Sequence, residues 1–326
     1  MTFVLLTGAG FTRNWGGWLG DEAFEYLLGC GELDGETRTL LWADRNVGRG
    51  FEATLEKLQD LAKRDATGTQ QMRLEALTTA IAGMFNLMDQ GLQVQEFVFQ
   101  KSHLDIRRFL AHFDVIATLN QDLFLERKYF PYITQSDNSK RWASGESPGV
   151  APPASGQYHD ANLEVGARRQ PMERENFTIF PHVQPYLKLH GSSNWFDADG
   201  RRMLVVGGGK AAAIGASPLL AWYANTFRGL LHRPGARLMV IGYGFADEHI
   251  NQVIQEACQA GLQIFIIDPT GANVIDKRPK APLSGPIPPF MEAVQDKLIG
   301  ASRRSLAEIF GSDQVEWQKV MKFFER

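Results

Sequence analysis

Apolar positions along this chain follow two rhythms, one short and continuous, the other helical. Phe3 to Thr7 is an apolar, partly β-branched run that stops at Gly8, the pattern of a buried strand ending in a tight turn. Residues from about Leu19 to Leu28 read as helix. Between roughly Glu36 and His112 the apolar positions recur at three and four, as Phe51, Leu55, Leu58 and Leu61 and then Leu74, Leu77, Ile81, Met84 and Met88. About three or four helices without a strand are expected there. A strand returns at Val115 to Thr118, followed by a short helix. Tyr132 to Phe180 is rich in Gly, Pro, Ser and charge, with GESPGVAPPASGQ at its centre, and reads as a long loop or lid, partly mobile by composition.

Strand signals resume at Tyr186 to Leu189 and Met203 to Val206, and a helix fills Pro218 to Leu231. Leu238 to Ile241 and Ile264 to Ile267 are two more buried strands, with a helix between them as a βαβ unit requires. Lys277 to Pro289 contains five prolines and is expected to be extended. Phe290 to Phe324 reads as two or three amphipathic helices. Alternating strands and helices predict an α/β fold: a Rossmann-like, doubly wound parallel sheet with an inserted helical subdomain and C-terminal helices. The expected division is a sheet domain over 1–35 and 113–275, a helical insertion over 36–112, and a proline-rich segment with terminal helices over 276–326.

Composition narrows the function classes. The chain has 326 residues, 44% hydrophobic and 22% charged, which suffices for a sizeable core. A net charge of −3 gives no overall reason to expect nucleic acid or an anionic membrane as partner. The N-terminal apolar run is too short for a signal segment or a membrane span. Cys30 and Cys258 are the only cysteines and lie too far apart in sequence for a clustered zinc site or a disulfide framework. A soluble protein of the reducing cytoplasm is expected, with no metal.

Five segments carry candidate chemistry. Thr-Gly-Ala-Gly after the first strand suits the approach of a phosphate to a helix N-terminus, and it equally suits a plain tight turn. A dinucleotide fingerprint would need a third glycine where Arg13 stands, and no P-loop occurs, so dehydrogenase and P-loop ATPase are disfavoured. In TLNQD, Asn120 and Asp122 follow the second strand, where an open α/β sheet lines its ligand crevice; helix capping is the plain alternative. His190, in KLHGSSNW, ends another strand beside a glycine and has the titration range of a general base, though such a histidine is more often structural. VIGYGFADEHIN ends a strand in Gly242, Tyr243 and Gly244. Asp268, in IFIIDPT, stands where a Rossmann site holds an adenosine ribose, or is simply a turn residue before proline.

The succession GAGFT, TLNQD, KLHGSSNW, VIGYGFADEHIN resembles the sirtuin-like (SIR2-like) family, in particular its bacterial anti-phage NAD hydrolase branch. The resemblance extends from residue 1 to about 270. It implies NAD as substrate, with Gly8, Ala9, Gly10, Phe11 and Thr12 along the diphosphate and nicotinamide ribose, and Gly242, Tyr243 and Gly244 near the adenosine. It assigns catalysis to Asn120, His190 and Asp122: Asn120 orients water or a ribose hydroxyl, His190 takes up a proton, and Asp122 holds the carboxamide or polarises the network. It implies no zinc ribbon, since the family's deacylases need four cysteines. It further implies a homo-oligomer and a partner such as a HerA-type ATPase or an Argonaute. An NAD-dependent deacylase and a non-catalytic NAD or ADP-ribose sensor are the competing readings.

Overall fold

The computed structural model describes residues 1–99, 105–133, 141–152, 165–276 and 287–325. Seven parallel strands form its central sheet: β1 (Thr2–Thr7), β2 (Val115–Thr118), β3 (Ser144–Glu146), β4 (Val183–Lys188), β7 (Ala236–Ile241), β8 (Gln263–Ile267) and β9 (Leu298–Ser302). A separate antiparallel pair, β5 (Gly191–Phe196) and β6 (Arg202–Leu204), projects beyond β4. The spatial order in the sheet is β3-β4-β2-β1-β7-β8-β9. From β1 the chain builds outward through β2 and β4, then returns to lay β7 on the other side of β1. The carboxyl ends of β1 and β7 are therefore the switch point, where loops diverge and leave a crevice.

The strands read as unbroken apolar runs because both faces are covered. Val4 and Leu6 of β1, with Leu238 and Val240 of β7, face one core, packed under the helices Pro218–Leu231 and Glu248–Gln259. Leu5, Met239, Ile241 and Ile267 face the opposite core, built with Phe109, Phe310 and Phe323. A third core lies wholly among helices and contains Leu41, Leu55, Leu58, Leu77, Ile81 and Met84. The helix Gly20–Leu28 joins this third core through Ala23, Phe24 and Leu27, so the chain leaves the sheet layers before residue 36.

Several elements differ from the sequence expectation, among them the helix Lys210–Ala216, which the apolar pattern does not mark. β9 lies inside the stretch read as helices: LIGAS is short, weakly apolar and interrupted by Gly300. That glycine is there for packing, since a Cβ on it would stand 2.5 Å from the Phe265 ring. β3 lies in the stretch read as loop, pairing at the sheet edge with β4. Met203 and Leu204 do form a strand, but in the small hairpin rather than the sheet. The remainder of the GESPGVAPPASGQ stretch beyond 152, and residues 277–286 of the proline segment, lie outside the described residues. Pro289 itself begins the helix Pro289–Lys297, with Pro at its first position as favoured.

Candidate functional site

The crevice at the switch point is built by hydrogen bonds passed from strand end to strand end. Gly8 N donates to Ile241 O at 3.0 Å, Gly10 N to Gly242 O at 2.9 Å, and Gly242 N to Ile267 O at 3.0 Å. The two glycine loops touch backbone to backbone. A Cβ on Gly8 would lie 2.6 Å from Gly242 O, and one on Gly242, whose φ is +62°, would lie 2.3 Å from Gly10 C. These glycines thus serve close packing as well as lining the crevice.

Around them lies a cavity of about 1000 Å³. It draws walls from Gly8, Ala9, Gly10 and Thr12, from Asn120 and Asp122, from His190, from Gly242 to Gly244, and from Asp268. Segments spread over the chain thereby meet in one place. Phe11 is the exception among the sequence candidates: its side chain is 1% exposed and packs on Trp15 in the second core, ring centroids 5.3 Å apart. A large apolar ring after the glycine turn gains more from the core than from a polar ligand.

Asn120 is held from both sides. Its backbone N donates to Thr118 Oγ1 at 3.0 Å, and Thr118 in turn accepts from Thr7 Oγ1 at 2.7 Å. Its Nδ2 lies 3.4 Å from Thr12 Oγ1, which joins the TLNQD turn to the GAGFT turn. Gln121 is a clasp, its Nε2 donating to the carbonyls of His190 (3.3 Å) and Val205 (3.1 Å). Asp122 accepts from Phe124 N at 3.0 Å in a turn just before the helix Phe124–Lys128, whose N-cap is Leu123, and it also faces the cavity. Burial pushes its carboxyl up to about 6, against the opposing pull of Lys188. Lys188 is fully buried beneath the site, 2.8 Å from Glu126 Oε1, and its ammonium also donates to the Asp122 carbonyl.

His190 ends the β4 segment and is 4% exposed. Gly191 follows with φ +77°, and a Cβ there would overlap Met203 O at 1.8 Å, so only glycine lets the hairpin fold back beside the histidine. The Nε2 of His190 lies 3.1 Å from the Nε2 of His249. Burial lowers His190 to about 3, with Asp247 opposing and Lys210 and His249 adding to the fall. His249 is lowered too, by burial, with Asp247 again opposing. Lys210 Nζ stands 2.7 Å from both Asp247 Oδ1 and Glu52 Oε2. Burial acts to lower that ammonium, but the two carboxylates outweigh it and hold it above its ordinary value.

Ligand atoms of His190, Asp247 and His249 all lie within 4.8 Å of one another, a donor set of the kind that can hold a cation. The Lys210 ammonium already neutralises that carboxylate, and a divalent ion would have to displace it. Cys30 and Cys258 are buried in different cores.

Tyr243 spends its hydroxyl inside its own loop, accepting from Asp247 N at 3.0 Å and facing Asn251 Oδ1 at 3.1 Å. Asp268 forms a turn with Thr270, accepting from its N at 2.8 Å and Oγ1 at 2.6 Å, and it lines the cavity as well. Sequence reasoning passed over His249, Lys210 and Glu52. It also passed over Arg303 to Leu306, which follow β9 and line the cavity too. Asn14 fixes that segment, its Oδ1 accepting from Leu306 N at 2.9 Å. The one available signal was Asp247-x-His249 after a glycine loop; nothing local marked the residues after β9.

Strand order and crevice together define a Rossmann-like α/β protein with a cavity at the switch point, the candidate ligand site. No family model matches the sequence, and no curated protein matches it. Among solved structures, the chain is similar to a crystal structure of Sir2 in complex with the inhibitor EX-527, 2′-O-acetyl-ADP-ribose and a deacetylated p53 peptide. The identity is 13%, the TM-score 0.36, and the alignment covers 98% of this chain and 93% of that one. Among the described residues, no helix is long and apolar enough to cross a membrane.

Proposed function

We propose that this protein hydrolyses NAD+ at the bond between nicotinamide and ribose. The observation that supports this most is the convergence of Asn120 and His190 on one cavity that the paired glycine loops and Asp268 also line. Paired glycine turns admit a diphosphate to the backbone, and an aspartate past the next strand suits a ribose. The resemblance of the four motifs to SIR2-like NAD hydrolases supports the same reading.

Nicotinamide leaves as a neutral base, so the transition state is a ribosyl cation that needs a presented nucleophile and a low-dielectric, oriented surround more than a strong acid. Asn120, fixed by Thr118 and Thr12, orients the attacking water or a ribose hydroxyl. His190 takes the proton released as the new C–O bond forms. Asp122 bears on the nicotinamide end, its carboxyl pushed up to about 6 by burial. Nicotinamide release by the purified chain, with NAD+ binding followed in parallel by calorimetry, tests the proposal.

NAD+ hydrolysis harms the cell that performs it, so the activity is gated, in keeping with a defence effector of the SIR2-like type. The helical insertion supplies surface for self-association or for a partner such as a HerA-type ATPase, since Trp42 and Leu61 are 49% and 43% exposed there. Mass in solution tests the first of these; an active strict monomer contradicts it.

A further inference from the structure

We infer that the site also takes NADP+, with Arg303 as the residue that receives the phosphate on the adenosine ribose. The inference rests on the NAD+ hydrolase reading and widens its substrate class to both dinucleotides.

Strand order places the group. The glycine turns follow β1 and β7, Asp268 follows β8, and Arg303 follows β9, in a sheet that runs β1-β7-β8-β9 to its edge. Ile267 and Ser302 are paired in register, and Asp268 N donates to Ser302 O at 3.0 Å. Asp268 and Arg303 are therefore the first residues past two paired strand ends, and both line the cavity. A dinucleotide with its diphosphate at the glycine turns and its adenosine ribose at Asp268 meets Arg303 one strand further out.

The two side chains are held for different ligand groups. Asp268 Oδ1 accepts from Thr270 N at 2.8 Å and Thr270 Oγ1 at 2.6 Å, which leaves Oδ2 for a ribose hydroxyl. Arg303 is exposed, and among the described residues it forms no ion pair, with Asp268 or any other acid. Its neighbour Arg304 differs, lying 3.2 Å from Glu308 Oε1 and 3.6 Å from Asp313 Oδ2. The stem of Arg303 lies over Gly271, whose N donates to Asp268 O at 2.7 Å and closes the aspartate's turn. Gly271 has φ +60°, and an added Cβ there would stand 2.9 Å from Arg303 Cγ and 3.2 Å from its Nε. Glycine thus lets the arginine lie against the turn that carries Asp268.

A guanidinium without a carboxylate, set beside the ribose position, matches a phosphomonoester through two parallel N–H donors. That phosphate carries roughly 1.5 to 2 negative charges at neutral pH, and Arg303 offsets its repulsion by Asp268. An aspartate at this place serves the free 2′-hydroxyl and an arginine nearby admits the phosphate; here the chain offers both. The reaction is the one proposed for NAD+. Water oxygen bonds to C1′ of the nicotinamide ribose, the C1′–N bond breaks with its electron pair going to nicotinamide, and the water releases one proton. The products are nicotinamide and 2′-phospho-ADP-ribose, and the phosphate takes no part in the bond changes.

The test uses the full chain as wild type, R303Q and R303K, with nicotinamide release from NAD+ and from NADP+. Calorimetry with ADP-ribose and 2′-phospho-ADP-ribose runs on the same samples. Wild type should release nicotinamide from both dinucleotides. R303Q should lower kcat/KM for NADP+ relative to that for NAD+ by roughly 10- to 100-fold, the worth of one charge-assisted hydrogen bond. R303K keeps the charge but loses the fork and should fall between them. Release from NAD+ but not from NADP+ by wild type overturns the inference and leaves the hydrolase reading standing. A ratio between the two substrates that R303Q leaves unchanged also overturns it. Release from neither dinucleotide contradicts the hydrolase reading, and calorimetry then decides the phosphate site. A loss of affinity in R303Q that is larger for 2′-phospho-ADP-ribose than for ADP-ribose supports the site, and equal or absent binding of the two overturns it.

Discussion

Gly10 and Gly242 lie backbone against backbone at the mouth of the crevice, the N–H of one donating to the carbonyl of the other at 2.9 Å. Each keeps the place open for the other: an added Cβ on Gly10 meets Gly242 Cα at 2.7 Å, and one on Gly242 meets Gly10 C at 2.3 Å. The contact joins β1 to β7 at the switch point and so fixes the distance between the two walls of the site.

Gly242→Ala should therefore be severe. It combines a left-handed backbone with a clash against main-chain atoms that cannot turn aside. Strain and overpacking of that kind cost about 2–5 kcal/mol together. Gly244→Ala, two residues on, has nothing within 4 Å of the added carbon and should stay within about 0.5 kcal/mol of wild type. Urea midpoints of the two variants check the contrast.

Asp122 makes stability depend on pH in an unusual direction. Its carboxyl rises from the ordinary 3.8 to about 6 on folding. Between those values the folded state keeps a proton that the unfolded chain has lost, so stability falls as pH rises through the window. The total is roughly 3 kcal/mol, at about 1.4 kcal/mol per tenfold change in proton affinity. Asp122→Asn retains an oxygen to accept from Phe124 N and removes the charge. The variant should match wild type near pH 4 and exceed it near pH 7, as urea unfolding at the two pH values would report.

His190 contributes the opposite slope. Its folded value of about 3 lies below the ordinary 6.5, so the unfolded chain takes up a proton first as pH falls, and stability is lost from 6.5 downward. His190→Gln should flatten the acid limb of an unfolding profile relative to wild type.

Lys188 and Glu126 form an ion pair at 2.8 Å, with the lysine fully buried. Lys188→Met strands the carboxylate and frees the Asp122 carbonyl, and should cost about 3–5 kcal/mol. Adding Glu126→Gln should recover part of that loss. Thermal unfolding of the single and double variants measures the coupling.

The strands around the switch point were legible in the sequence because both faces of each are covered, leaving runs such as FVLL and IFII with little to mistake. The helical insertion was legible in the spacing of Leu55, Leu58, Leu77 and Ile81, which share one core. β9 was not: Ala301 and Gly300 carry little apolar signal, and Gly300 is fixed by a ring from the neighbouring strand, a fact that only the fold supplies. Of the site, the glycine turns, Asn120, His190 and Asp268 could be found because each directly follows an apolar run. His249 could not be weighed, since its partner is 59 residues away and the pairing depends on how the hairpin at Gly191 turns back. Arg303 to Leu306 escaped for the same reason as β9. Phe11 sits inside a motif yet faces the core, because local sequence does not say which side of a turn is apolar.

Nicotinamide release from NAD+ by wild type, Asn120→Ala and His190→Ala, with calorimetry on the same samples, tests NAD+ hydrolysis at this site most directly. Wild type should release nicotinamide, His190→Ala should lose roughly 10²- to 10⁴-fold with a comparable loss in Asn120→Ala, and NAD+ binding should be largely retained in both folded variants. Unchanged release in either variant, or binding by wild type with no release under any condition, would contradict hydrolysis at this site.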